Sequence, residues 1–167
     1  GSAFRPAPAR QVRRCIAEVR EADYILAPSP YVRESLVEVG ADPDRIFILP
    51  YGADLAKFGR DGEPPAPPFR ILFAGHIGLR KGVLYLLEAV RRAGLDDAEL
   101  TLLGNIEGDG GWLEPYRYLF THVPHVPHQE LPAIFARAHV YAFPSLHEGS
   151  TVSVYEAMAT GLPVVTT

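Results

Sequence analysis

Phe69-Arg70-Ile71-Leu72-Phe73-Ala74-Gly75-His76-Ile77-Gly78-Leu79-Arg80-Lys81-Gly82-Val83 is the stretch that decides the fold. Phe69 to Ala74 is of strand length and apolar from Ile71 on. It passes through a glycine-rich turn into Val83 to Ala93. The first segment reads as a buried strand, the second as a helix. Toward the C-terminus the alternation repeats: Glu99 to Leu103 a strand, Gln129 to Arg137 a helix, and Val140 to Phe143 a strand. Val152 to Thr160 then reads as a helix and Pro163 to Thr166 as a strand. Strands alternating with helices imply parallel crossover units. The expected fold class is therefore α/β, a Rossmann-like parallel sheet with helices on both faces.

Toward the N-terminus, Gly59 to Pro68 carries Pro64-Pro65 and Pro67-Pro68 and reads as a linker or exposed loop, because proline cannot donate to a ladder. Before it, Arg45 to Leu49 reads as a strand ended by Pro50 and Gly52. Pro30 to Val39 reads as a helix capped by Ser29 and closed by Gly40. Asp23 to Ala27 reads as a strand stopped by Pro28. Gln11 to Arg20 places Val12, Ile16 and Val19 on one side and Arg13, Arg14 and Arg20 elsewhere, with Arg10 just ahead. It is an amphipathic helix, either packed on its own domain or in peripheral contact with an anionic membrane. The expected organisation is an N-terminal helix or linker over 1–21 and a Rossmann-like domain over 22–167. Gly1-Ser2 reads as an expression remnant. The chain ends on an apolar strand, so further structure is expected beyond it.

Composition narrows the function classes. At 167 residues the chain can bury one sizeable core. Hydrophobic content of 47% and charged content of 22% are those of a globular protein. A formal charge of −4 disfavours nucleic acid as a partner, since that binding needs a basic surface. The single cysteine, Cys15, excludes an internal disulfide and suits a reducing, cytoplasmic setting, at the inner membrane surface if α-helical contact with lipid occurs. No apolar run reaches the ~18 residues of a membrane helix.

In a doubly wound sheet, ligands bind beyond the carboxyl ends of the strands, which directs attention to the strand-to-helix turns. Three carry unusual content. Gly75 to Gly82 offers glycines, a helix N-terminus and the adjacent cations Arg80 and Lys81, a set able to neutralise a pyrophosphate. Its spacing is neither the dinucleotide fingerprint nor the Gly-Lys-Ser/Thr phosphate loop. A glycine-rich turn with solvated cations is the alternative. The second turn, His147-Glu148-Gly149-Ser150-Thr151, runs into a helix bearing Glu156. Carboxylates accept hydrogen bonds from vicinal hydroxyls, and the amides of Gly149, Ser150 and Thr151 stand at a helix N-terminus. A capping acid plus a surface acid is the plainer reading. In the third, Thr121 to His128, three histidines recur at three-residue steps. Pro124 and Pro127 forbid the helix that would align them on a metal, so a ligand-edge turn or an ordinary loop is preferred.

Taken together, the stretches resemble the retaining glycosyltransferases of the GT-B fold known as group 1. Ala27-Pro28-Ser29-Pro30-Tyr31-Val32 through Pro50-Tyr51-Gly52-Ala53-Asp54 and Phe58 is similar to the family's entry into its C-terminal, nucleotide-sugar-binding domain. Phe73-Ala74-Gly75 with Arg80-Lys81-Gly82 looks like its phosphate-binding turn. The most specific match is Pro144-Ser145-Leu146-His147-Glu148-Gly149 followed by Glu156-Ala157-Met158-Ala159-Thr160-Gly161-Leu162-Pro163-Val164-Val165. It is similar to the family's pair of glutamates with seven residues between them. Two departures stand out. His76 occupies a place where many members carry arginine, and Ser150-Thr151-Val152 replaces the commoner Phe-Gly-Leu.

The resemblance implies a sugar moved from a nucleoside diphosphate to an acceptor hydroxyl with its anomeric configuration kept, and no metal or other cofactor. It implies catalytic roles for Glu148, Arg80 and Lys81. Donor contacts are implied at Gly75, Arg80, Lys81, Val123, Val126, Glu148, Gly149, Ser150, Thr151 and Glu156. Glu148 would hold hydroxyls of the sugar, Glu156 the ribose, Arg80 and Lys81 the diphosphate, and the turn from His122 to Val126 the base through its backbone. The acceptor, a sugar, lipid or polysaccharide, would bind an N-terminal domain that this chain lacks, along with the closing C-terminal helices. By itself the chain is expected to bind donor without transferring it. A nucleotide-sugar epimerase, a glycogen-synthase-like or phosphorylase-like enzyme and a non-catalytic nucleotide-sugar-binding module share this architecture and remain alternatives. An NAD-dependent oxidoreductase lacks its fingerprint here.

Overall fold

The computed structural model describes residues 7–59 and 65–167. Gly1-Ser2 and the middle of the proline-rich stretch lie outside the described residues. The chain divides into two compact units, Gly1–Tyr51 and Gly52–Thr167.

The first unit is one β-α-β turn with a helix ahead of it. Helix α1 (Ala9–Glu21) precedes β1 (Ile25–Ala27), α2 (Pro30–Glu38) and β2 (Ile46–Ile48). The two strands pair in parallel, Ile25 opposite Ile46 and Ala27 opposite Ile48. Ser29 caps α2 as expected, its hydroxyl accepting from Val32 N at 3.2 Å. A small core of Ala27, Ala41 and Ile46 takes Val19 from α1, Ile25 from β1 and Val32 and Leu36 from α2. Arg20 also donates to the Val39 carbonyl at 3.1 Å. Helix α1 is thus packed within this unit, with its arginines left on the solvent side. Arg45, expected in the strand, instead closes a 3-10 turn over Pro43–Arg45, because Asp42 caps that turn through Asp44 N.

The second unit is a five-stranded, wholly parallel sheet in the order β5-β4-β3-β6-β7. Its strands are β3 (Phe69–Ala74), β4 (Ala98–Leu103), β5 (Phe120–Val123), β6 (Val140–Phe143) and β7 (Val164–Thr166). Helices α3 (Val83–Ala93), α4 (Leu131–Ala136) and α5 (Val152–Ala159) connect them. The crossovers run first one way from β3 and then back past it, an order that with the usual right-handed connection sets helices on both faces. Strand β3 is buried from Ile71 to Ala74, as its unbroken apolar run requires. Across it an aromatic row stacks: Phe73 on Phe143 at 5.5 Å, Phe143 on Tyr141 at 6.0 Å, and Tyr141 on Phe135 at 5.4 Å. Each such buried side chain contributes about 2 kcal/mol by area removed from water, with a further ~1 kcal/mol per aromatic pair.

Three elements of this unit depart from the expected alternation. Phe120–Val123 is an edge strand where the sequence suggests a turn, because Leu100 to Leu103 of β4 offer an open ladder to Phe120 to Val123. Gly111–Leu119 ahead of it is a run of 3-10 turns with Leu113 buried, a form that Pro115 permits and a regular α-helix would not. The helix expected from Gln129 begins as a 3-10 turn, His128–Glu130, before α4.

Candidate donor site at the switch point of the sheet

The strand order reverses between β3 and β6, so the turns leaving these two strands stand side by side. The first carries Gly75 to Gly82, the second Pro144 to Thr151. A backbone bond welds them: Leu146 N donates to the Arg80 carbonyl at 2.9 Å, and Ser145 Oγ lies 3.2 Å from the same oxygen. Gly82 makes this approach possible. Its φ is +69°, and a Cβ there would overlap the carbonyl oxygen of Pro144. Ile77, fully buried, anchors the first turn from the other side by bonding Asn105 O and Glu107 N, each at 2.8 Å.

Arg80, Lys81 and Glu148 are brought together as the sequence suggests. Lys81 Nζ donates to Glu148 Oε1 in a close ion pair, and Arg80 Nη1 lies 3.4 Å from the same oxygen. Arg80 Nη1 also donates to the His147 carbonyl at 2.9 Å. Ser145 Oγ, itself buried, donates to Glu148 Oε1 at 2.8 Å. Lys81 is the more enclosed cation, its side chain 14% exposed against 57% for Arg80, and it rests 5.1 Å from the centre of the Phe143 ring. Partial burial works to raise the Glu148 carboxyl. The hydrogen bonds from Lys81 and Ser145 and the charges of Lys81 and Arg80 outweigh it and hold the group below its ordinary value.

Glu156 stands on α5 with its side chain only 7% exposed. It lines a cleft of about 320 Å³ whose other walls include Gly75, His76, Gly104, Asn105, His125, Val126 and Ser153. The cleft therefore opens beyond the carboxyl ends of β3 and β4. Glu148 and Glu156 flank β6: both bear electrostatically on the Tyr141 hydroxyl, which burial above all pushes well above the ordinary tyrosine value. That hydroxyl donates to Ala74 O at 2.8 Å and lies 2.7 Å from Ser153 Oγ, fixing α5 against the end of β3.

The remaining expected residues are placed as follows. Gly75 and Val126 line the cleft. Val123 ends β5, and its carbonyl accepts from Gly104 N at 2.8 Å, so its backbone acceptor serves the sheet. Ser150 Oγ lies 3.4 Å from the Tyr155 hydroxyl, Gly149 lies in the turn before it, and Thr151 occupies the N-cap of α5. The Thr151 hydroxyl is buried without a hydrogen-bond partner among the described residues. The three histidines go separate ways: His122 Nε2 meets Gly104 O at 2.9 Å, His125 lines the cleft, and His128 Nε2 meets Glu156 Oε1 at 3.2 Å. Among the described residues no group of three or more metal-ligating side chains converges. None of the described helices is long and apolar enough to cross a membrane. Sequence reasoning left Ser145, Tyr141 and Ser153 without roles. Ser145 stands in the quoted Pro144-Ser145 pair, the one signal that pointed to it.

Known proteins share the family and the fold of this chain. Residues 68–167 match the family described as glycosyl transferases, group 1. The chain is 33% identical to the D-inositol 3-phosphate glycosyltransferase of Paenarthrobacter aurescens, over 99% of this chain and 46% of that protein. It thus spans less than half the length of this relative. Among solved structures, the sucrose-phosphate synthase of Thermosynechococcus elongatus superimposes with a TM-score of 0.79 at 23% identity. That match covers 95% of this chain and 44% of the other. Anabaena Alr3699/HepE in complex with UDP-glucose gives 0.78 at 15% identity, covering 94% and 48%. The shared fold is that of GT-B glycosyltransferases.

Proposed function

We propose, from the premise that the chain belongs to the group 1 glycosyl transferases, that residues 52–167 hold the nucleotide-sugar donor of a retaining glycosyl transfer. One observation carries this reading. Lys81 and Arg80 from the turn after β3 converge on Glu148 from the turn after β6, and the first of these turns, through Gly75 and His76, also lines the cleft that contains Glu156. Cations and an acid gathered at a switch point suit a diphosphate with a hydroxyl-rich group on either side.

In the proposed arrangement the nucleoside occupies the cleft along Gly75, Val126 and Glu156, the diphosphate meets Arg80 and Lys81, and the sugar reaches Glu148. The bond between the anomeric carbon and the diphosphate oxygen breaks, and negative charge gathers on the departing diphosphate. Preorganised cations stabilise that charge without reorganising at the moment of reaction. The acceptor hydroxyl supplies the new oxygen, its proton passes to the departing diphosphate oxygen, and the acceptor is held by a part of the protein other than residues 52–167. A structural neighbour bound to UDP-glucose supports a nucleotide sugar as the ligand class.

The test is a thermal-shift panel of uridine, guanosine and adenosine diphosphates and their sugars. A ligand at 100 times its Kd stabilises the folded chain by about 2.7 kcal/mol. A melting temperature that does not move with any of them overturns the proposal.

A further inference from the structure

The buried carboxylate of Glu156 receives one hydrogen bond among the described residues, from His128 Nε2 to Oε1 at 3.2 Å. An ionised carboxylate only accepts, so Nε2 carries the proton in this contact. The two partners differ in setting: the Glu156 side chain is 7% exposed and that of His128 67%. His128 therefore sits at the rim and reaches inward.

The rim histidine is held in place. Pro127 precedes it, and it opens the 3-10 turn His128–Glu130 that leads into α4. Its ring meets the buried Phe58 edge to face, centroids 5.9 Å apart, and Phe58 in turn meets Phe135 at 5.9 Å. Phe135 lines the same cleft as Glu156. Phe58, quoted in the sequence as the end of a motif, thus supports His128 from beneath while forming part of the core.

We infer that His128 is a positioning residue for ribose recognition: it occupies Oε1 of Glu156 and fixes the carboxylate so that Oε2 faces the cleft as the acceptor for the vicinal diol of a ribonucleotide. The inference rests on the nucleotide reading of the cleft and adds to it the group that makes Glu156 discriminate ribose from deoxyribose. Without a donor on Oε1, the carboxylate rotates freely and one or both oxygens turn to water. The preference for a diol over a deoxy sugar then falls, while contacts to base and diphosphate remain.

Titration calorimetry on the full 167-residue chain tests this with UDP, GDP and ADP and their 2′,3′-dideoxy counterparts. The ribonucleotide that binds best is expected to exceed its dideoxy counterpart by roughly tenfold, the range of one well-made hydrogen bond to a charged group. His128→Ala is expected to lose most of that ratio while keeping the dideoxy affinity, and His128→Gln, which restores an N–H donor, to recover part of it. The exposed position of His128 makes a loss of folding an unexpected outcome, and an unchanged melting temperature checks that. If none of the three diphosphates binds, the nucleotide reading fails and this inference with it. If a ribonucleotide binds and the ratio is the same in wild type and His128→Ala, or absent in wild type, the inference alone is overturned.

Discussion

Lys81 Nζ and Glu148 Oε1 are ion-paired across 67 positions of sequence, and bonds from Leu146 N to the Arg80 carbonyl and from Arg80 Nη1 to the His147 carbonyl also tie their two turns together. Lys81 is 14% exposed and Glu148 22%, so this pair is shielded in a way that surface ion pairs are not. Its value to the protein is therefore more one of placement than of net stability. A pair taken partly out of water recovers little beyond its own desolvation cost, but it leaves both groups in one geometry.

Lys81→Ala is expected to weaken nucleoside-diphosphate binding by about 2 kcal/mol, the scale of a lost charge-assisted hydrogen bond. The melting temperature should move little by comparison. Isothermal calorimetry with the diphosphate that stabilises the wild type checks this, and an unchanged Kd removes Lys81 from the site.

Glu148 leaves a mark on the acid side of the stability curve. Its folded-state value lies below the ordinary carboxylate value of 4.5, so its contribution is fully present above that value. It is lost as pH falls through the lowered folded value, because the unfolded chain then binds the proton first. Urea titrations from pH 6 down to about 3 should show wild type losing more stability than Glu148→Gln over that window. Parallel curves would show that Glu148 is not ion-paired in solution.

Gly82→Ala is expected to cost ~3 kcal/mol or more, since left-handed backbone strain adds to an overlap with the Pro144 carbonyl that neither turn can relieve. Gly94→Ala is the control. It shares the left-handed backbone, φ +57°, but its Cβ would meet nothing within 4 Å, so only the ~1 kcal/mol of backbone strain applies. Equal losses in denaturant unfolding would show that the two turns do not approach as described.

Tyr141→Phe keeps the ring stack and deletes the hydroxyl between Ala74 O and Ser153 Oγ. The expected loss is about 1–3 kcal/mol, because a buried carbonyl and a serine hydroxyl are left without that partner. Donor affinity should fall as well, since Ser153 and Glu156 share α5 and one cleft wall. A variant as stable as wild type would mean that water replaces the hydroxyl at no cost.

Much of this molecule was legible in the chain. The bounds of β3, α3 and β6 follow from local periodicity and breakers, and Phe69–Ala74, Val83–Ala93 and Val140–Phe143 are observed as read. The motif around Glu148 and Glu156 and the cations Arg80 and Lys81 could be named because turns after parallel strands carry ligands. Strand β5 was not legible. Four residues containing Thr121 and His122 beside two prolines have no periodicity of their own, and pairing with β4 makes them a strand.

By itself the sequence determined most of the strands and helices, β5 excepted, and which side chains stand in the turns after β3 and β6, since these depend on neighbours a few residues apart. Only the tertiary structure decided that β3 and β6 are adjacent, that Lys81 meets Glu148, and that His128 engages Glu156. It also decided that the first strands belong to a compact unit of their own, Gly1–Tyr51. The physical reason is range. Strand order is fixed by which crossover buries the most apolar surface over the whole sheet, and no spacing along the chain encodes a contact between atoms that only that choice brings together.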